Sequence, residues 1–131
     1  MSTIVIPYYA IISFKFPDTV TVNEEFPFGP MPYEGEIVGW SGGIANLGTG
    51  AGTSTDFQLI NESRTPDLNY FSIVPTFEVD SATKVLEGGQ LIDSPTFSAG
   101  ETLKGKITAV STSPEDAVVS IVIKLRKPVT V

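Results

Sequence analysis

The alternation of apolar and polar side chains is clearest over residues 97–127. Leu103, Gly105, Ile107 and Ala109 fall on one side of an extended segment, and Lys104, Lys106 and Thr108 fall on the other. After Ser111-Thr-Ser-Pro-Glu-Asp116, the residues Val119, Ile121, Ile123 and Leu125 form an unbroken apolar row. Ser120, Lys124 and Arg126 lie opposite, with Val122 the one apolar residue among them. Successive side chains leave a strand on opposite faces, so this period of two predicts strands buried on one face. The two are expected to form a hairpin, the floor of a β-sandwich. Ala99-Gly100-Glu101 opens the first of them with a residue free to take positive φ.

The same reading extends along the chain. Residues 3–16 are apolar on both faces, with Ile4, Ile6, Tyr8, Ile12, Phe14 and Phe16 on one and Val5, Pro7, Tyr9 and Ile11 on the other. A strand covered on both sides fits this pattern, and so does an N-terminal arm packed on another molecule. Pro7 has no N–H for a ladder, which favours an edge. Phe26-Pro-Phe-Gly-Pro-Met-Pro-Tyr33 holds three prolines in eight residues and is expected to run extended. Residues 36–45 read as a strand broken at Gly42-Gly43, 56–61 as a short strand, and 71–79 as a half-buried one. Gly88-Gly89 is expected to turn a hairpin over 85–92. The 46–54 loop is flexible by composition. About eight strands follow, with no helical period and no repeat. The fold class is all-β, a two-sheet antiparallel sandwich of jelly-roll type. Residues 1–33 form an N-terminal arm or edge segment, and 34–131 the β-sandwich domain.

Composition narrows the function. The chain has 131 residues, enough for one core, and a net charge of −7 from eight basic and fifteen acidic residues. A nucleic-acid binder needs clustered cations to neutralise phosphates, so nucleic acid is not an expected partner. No stretch approaches the roughly 18 apolar residues of a membrane span, so no membrane is expected either. There is no Cys and no His. The first residues lack the basic region and cleavage site of a secretory signal.

Motif matches dissolve on inspection. Gly39-Trp-Ser41-Gly-Gly43 has the letters of a nucleophile elbow, but that site needs a strand-to-helix turn and a histidine base. Gly48-Thr-Gly-Ala-Gly52 lacks the Lys and the helix N-terminus of a phosphate loop. Asp56, Glu62 and Asp67, or Glu115 and Asp116, show no calcium-loop spacing and read as solvated acids. Trp40, Tyr8, Tyr9, Tyr33 and Tyr70 could stack on sugars, but burial is the stronger reading. No enzyme, cofactor or metal is expected.

Four stretches carry a family resemblance: Glu34-Gly-Glu-Ile-Val-Gly-Trp40, Gly52-Thr-Ser-Thr-Asp-Phe-Gln-Leu-Ile-Asn61, Phe97-Ser-Ala-Gly-Glu-Thr-Leu103 and the Val118 to Arg126 strand. Over residues 34–127 the chain resembles the capsid decoration, or cement, proteins of tailed phages. The resemblance implies a virion structural protein on the capsid surface, assembled in the host cytoplasm. It implies the major capsid protein as partner and self-association, with a homotrimer favoured over a dimer. The competing expectation is a tail-fibre or baseplate module that binds carbohydrate or receptor. Residues 1–33 lie outside the resemblance. Their own chemistry makes Ile4, Ile6, Tyr8, Tyr9, Phe26, Phe28, Met31 and Tyr33 the expected protein-interface residues, because aromatic and Met side chains are enriched in interface cores and proline pre-sets an extended backbone.

Overall fold

A computed structural model describes residues 2–130; Met1 and Val131, the outermost residues of the two expected segments, lie outside the described residues. The chain forms β1 (Thr3–Thr19), β2 (Glu25–Phe28), β3 (Gly35–Asn46), β4 (Ser54–Asn61), β5 (Leu68–Asn69), β6 (Phe71–Ile73) and β7 (Thr76–Glu78). A 3-10 turn (Val79–Ser81) follows, then β8 (Gln90–Leu91), β9 (Thr96–Phe97), β10 (Leu103–Ala109) and β11 (Glu115–Thr130). One sheet has the order β1-β11-β3-β9. The other has the order β2-β10-β4-β5, with β7 also on β4, while β6 and β8 pair separately. The fold is an all-β sandwich of antiparallel sheets.

Period-two alternation builds the core. Ile12, Phe14 and Phe16 of β1 and Val119, Ile121, Ile123 and Leu125 of β11 are buried from one sheet. Phe57 and Leu59 of β4 and Leu103 and Ile107 of β10 are buried from the other. The layers meet ring on ring, with Phe14 and Phe57 centroids 5.7 Å apart. Such tilted aromatic pairs add to the area they bury. Gly105 sits beneath them, where a Cβ would come within 2.7 Å of Phe14 and 2.8 Å of Phe57. A residue without a side chain is what lets the sheets approach there.

Four expectations are corrected. β10 and β11 are not a hairpin: β10 pairs β2 and β4, whereas β11 pairs β1 and β3. Their apolar faces look at each other across the core. The segment between them crosses from sheet to sheet, held by Ser111 Oγ donating to Leu47 O (2.6 Å) and by Val20 N–H donating to Pro114 O (2.9 Å). β3 is not broken at Gly42-Gly43, which pair with Val119 and Val118. A Cβ on Gly42 would lie 2.9 Å from Val118 O and 3.2 Å from Phe77 Cζ, so close approach explains the glycine. Residues 85–92 are not a hairpin either, since Val85 bridges Gly43, Glu87 bridges Thr76, and β8 pairs β6. The 46–54 loop is pinned, with the Thr49 and Thr112 backbones exchanging hydrogen bonds of 2.9 Å each.

The two flanks of the sandwich end differently. On one, β1 and β2 are the last strands of their sheets, stacked through Phe16 and Phe26 with centroids 5.3 Å apart. On the other, the segment carrying Val85 lies along β3, β7 lies along β4, and Thr76 bonds to Glu87. That second flank is closed by main-chain hydrogen bonds.

Candidate interaction surface

β1 pairs with β11 over almost its full length, from Thr3 opposite Thr130 to Thr19 opposite Glu115. β3 leaves β11 at the Gly35–Leu125 pair. Beyond it, Thr3 to Pro7 and Arg126 to Thr130 continue as a two-stranded ribbon with no sheet beneath. The same alternation that buries Ile12, Phe14 and Phe16 therefore exposes Ile4, Ile6 and Tyr8 on the inner face of the ribbon.

The edge itself is open. Arg126 N–H donates to Glu34 O on the β3 side (3.0 Å). Arg126 and its partner Pro7 thus form a non-hydrogen-bonded pair, and Pro7 turns its backbone away from β11. The direction alternates, so Val5, Tyr9, Ile11 and Ser13 also aim their backbone groups off the sheet. Pro7 interrupts this row of donors, a recognised protection of edge strands.

Of the expected interface residues, the structure gathers six at the β1/β2 flank. Ile4, Ile6 and Tyr8 extend from the ribbon, and Tyr33 meets Tyr8 edge to face at a centroid separation of 6.4 Å. Phe26 and Phe28 lie on β2, about two-fifths exposed. Tyr9 points to the outer face instead, at 67% exposure. Met31 is a correction: it is 2% exposed and belongs to the core, its backbone tied to Glu101 O (2.8 Å) and Gly100 N (2.7 Å). Those bonds turn the side chain inward despite the prolines on either side.

Sequence reasoning missed part of the surface. Ile11 (68% exposed) and Val38 stand exposed near Tyr9, and Val118 is exposed farther along β11, opposite Lys15. Val38 is the extra residue of a bulge opposite Val122 and Ile123. The lone Val122 among polar neighbours was the available signal. An open groove of about 620 Å³ lies where the ribbon leaves the sandwich, lined by Val5, Tyr33, Glu34, Ser98, Arg126 and Pro128. It is mostly apolar, with one charge of each sign.

The acids considered for chemistry serve locally. Asp56 accepts from Ser54 Oγ (2.5 Å), Glu62 and Glu25 share Lys104 (2.5 and 3.0 Å), and Asp116 accepts from Asp18 N–H (2.7 Å). These two carboxylates raise the Lys104 pKa. Glu101 takes two bonds from Arg64 (3.1 and 3.2 Å) and one from Ser98 N–H (2.6 Å). The Arg64 hydrogen bond holds the Glu101 pKa below the usual carboxylate range. Burial raises the pKa of neighbouring Tyr70, which donates to Thr96 O (2.8 Å) and accepts from Asn61 (3.1 Å). Ser41 sits mid-strand opposite Ser120, not on a strand-to-helix turn. Trp40 packs edge to face on Phe71 with centroids 5.2 Å apart, its Nε1 donating to Gly88 O (3.2 Å). Tyr70 is fully buried, so these two rings form no platform. Among the described residues, no three His, Cys, Asp or Glu side chains are grouped to hold a metal.

No family model matches this chain. No curated protein matches it. Among solved structures, it is similar to a chain of a structure described as the cyanophage Pam1 capsid asymmetric unit. The TM-score is 0.58 at 10% identity, covering 93% of this chain and 85% of that one. At that identity, what the two share is the fold.

Proposed function

We propose that this chain is a virion structural protein that binds the outside of a phage capsid and stabilises it. The observation that carries the reading is the fold shared, over 93% of the chain, with a chain of a phage capsid asymmetric unit. The exposed apolar side chains support it. Monomers seldom keep a contiguous apolar patch beside an open strand edge, and strand edges and aromatic anchors are what partners cover.

In this reading the partners are the major capsid protein and further copies of the chain, with a homotrimer favoured. The protein acts by binding and not by catalysis. It is assembled in the host cytoplasm and resides on the capsid surface. Contacts come chiefly from residues 1–33, through Ile4, Ile6, Tyr8, Tyr9, Phe26, Phe28 and Tyr33, on a platform formed by 34–131. Ile12, Phe14, Phe16 and Met31 tie that segment into the core.

A denaturing gel of purified virions tests the role. A protein spread over the shell is present at a ratio near one copy per major capsid protein. A few copies per particle would place it on the tail and end this reading.

A further inference from the structure

The open edge of β1 lacks the charges that usually guard one. Thr3 to Phe14 is uncharged, and Pro7 is its one protective residue. Val5, Tyr9, Ile11 and Ser13 aim their N–H and C=O groups outward around it. The surrounding flank carries acids and bases alike, with Asp18, Glu24 and Glu25 beside Lys15. Charge therefore selects no occupant, and the pattern along the strand has to.

Two apolar surfaces at this flank are each half of a layer. Ile4, Ile6 and Tyr8 of β1 face inward, 36–47% exposed, with no sheet beneath. Phe26 and Phe28 of β2 are 41% and 43% exposed, with no strand beyond β2 in their sheet. Phe26 reaches Phe16 of β1 at a centroid separation of 5.3 Å, so it points toward the β1 layer. Phe28, two residues on, shares its face. The rings lack an apolar strand beside β1, and the ribbon lacks a floor.

We infer that β1 of one copy pairs antiparallel with β1 of a second copy about a two-fold axis at Ala10, joining two four-stranded sheets into one. Tyr9 then stands opposite the partner's Ile11, an aromatic against a β-branched side chain, twice across the axis. Ile4, Ile6 and Tyr8 fall opposite the partner's Phe16, the partner's Phe14 and the partner's Ile12, beside the two exposed rings of its β2. The operation that pairs the backbones thus completes both half-layers, which points to a second copy and not to a foreign strand. Pro7 falls opposite the partner's Ser13, where its carbonyl still accepts an N–H. An axis at Tyr8 would instead set Pro7 against Tyr9 on both sides of the centre. Lys15 lies opposite the partner's Val5, so no like charges meet. At about 200 Å² a ring, the exposed parts of Tyr8, Tyr9, Phe26 and Phe28 come to about 370 Å² per copy. Ile4, Ile6, Ile11 and the backbone carry the total for both copies past the roughly 1,000 Å² of a specific interface. The contact is isologous and makes a dimer, in place of the trimer that the resemblance favours. It rests on the self-association proposed above and is read on the isolated protein, so it stands or falls separately from the capsid as target.

Sedimentation of the purified chain and a disulfide probe test it. The wild type sediments as a dimer at about 0.1 mM. The chain has no cysteine, and a non-hydrogen-bonded pair on the axis holds its Cα atoms about 4.5 Å apart, within disulfide reach. Ala10→Cys therefore oxidises to a covalent dimer, while Ser13→Cys, set opposite Pro7, does not. Tyr9→Lys with Ile11→Lys puts lysine against lysine twice across the contact and raises the dissociation constant at least about tenfold. Tyr9→Lys with Ile11→Glu puts lysine against glutamate and binds at least about tenfold tighter than the double-lysine variant. Both side chains are about two-thirds exposed, so the variants fold. If circular dichroism shows either unfolded, the two cysteine variants decide the matter. A wild type that stays a protomer or forms a trimer overturns the inference. So does an Ala10→Cys chain that cross-links no faster than Ser13→Cys, or a folded lysine–glutamate variant no tighter than the double-lysine one. If the edge dimer holds while virions carry a few copies, the capsid reading fails and this one survives.

Discussion

The Thr76 amide donates to the Glu87 carbonyl at 2.9 Å, and the Glu87 amide donates to the Thr76 carbonyl at 2.8 Å. This pair laces β7 of one sheet to the segment that runs along β3 of the other. At the opposite flank, β1 and β2 meet through side chains such as Phe16 and Phe26. One side of the sandwich is closed by main-chain hydrogen bonds, and the other ends in a strand edge with exposed aromatic rings.

Residues 1–6 are expected to be dispensable for folding. Their inward side chains, Ile4 and Ile6, are exposed, and β11 keeps β3 as its partner from Leu125 back to Glu115. Deleting them changes stability by less than about 1 kcal/mol, as for other substitutions outside the core. Self-assembly or shell binding weakens at least about tenfold, which corresponds to about 1.4 kcal/mol. Phe16→Ala is the contrast, because that ring is fully buried and its loss costs about 3–5 kcal/mol. Chemical denaturation of the three proteins, with sedimentation of each, checks both halves.

Gly105→Ala and Gly42→Ala are each expected to destabilise by about 1–3 kcal/mol, the usual cost of overpacking. Both positions lie on strands without positive φ, so the cause is contact and not backbone conformation. Phe14 and Phe57 must move for the first, and the Val118 carbonyl and Leu86 for the second. Gly52→Ala separates the two effects, since a Cβ there meets nothing within 4 Å while its φ is +76°. Thermal unfolding ranks the three.

Glu101 ties the 62–67 loop to the 96–101 turn, and its carboxyl pKa is lowered by the Arg64 hydrogen bond. In the unfolded chain the group returns to about 4.3. The unfolded state thus binds more protons between the two values. The stabilisation is fully present above the unfolded pKa and is lost as pH falls through the folded one. Glu101→Gln is expected to cost about 1–2 kcal/mol at neutral pH, discounted for the partial exposure of Arg64. The variant's stability should fall less steeply than the wild type's below about pH 4.3. Urea unfolding of both across pH 3 to 7 reads the difference; parallel curves would remove Glu101 from the acid response.

The all-β class and the burial of β1, β4, β10 and β11 were legible because alternation is a local signal. Leu103, Ile107, Val119 and Ile121 stand buried where the pattern put them. Pairing is not local. β10 and β11 each have one apolar face, which serves equally for hairpin neighbours and for strands facing across a core. Gly88-Gly89 likewise looks like a hairpin turn, while the residues around it pair with β3, β7 and β6. Six interface candidates share a flank because β1 and β2 happen to end their sheets on the same side, which no spacing reveals. Met31 was misread since its prolines described the backbone and not the direction of its side chain.

The most direct measurement is an electron cryomicroscopy reconstruction, at side-chain resolution, of the virion proposed to carry this chain. The sandwich is expected on the outer face of the shell, in copies that follow the capsid lattice. Ile4, Ile6, Tyr8, Phe26 and Phe28 should be covered by a neighbouring subunit or by the shell. Density for the chain confined to the tail, or on the shell with that flank facing solvent, would contradict it.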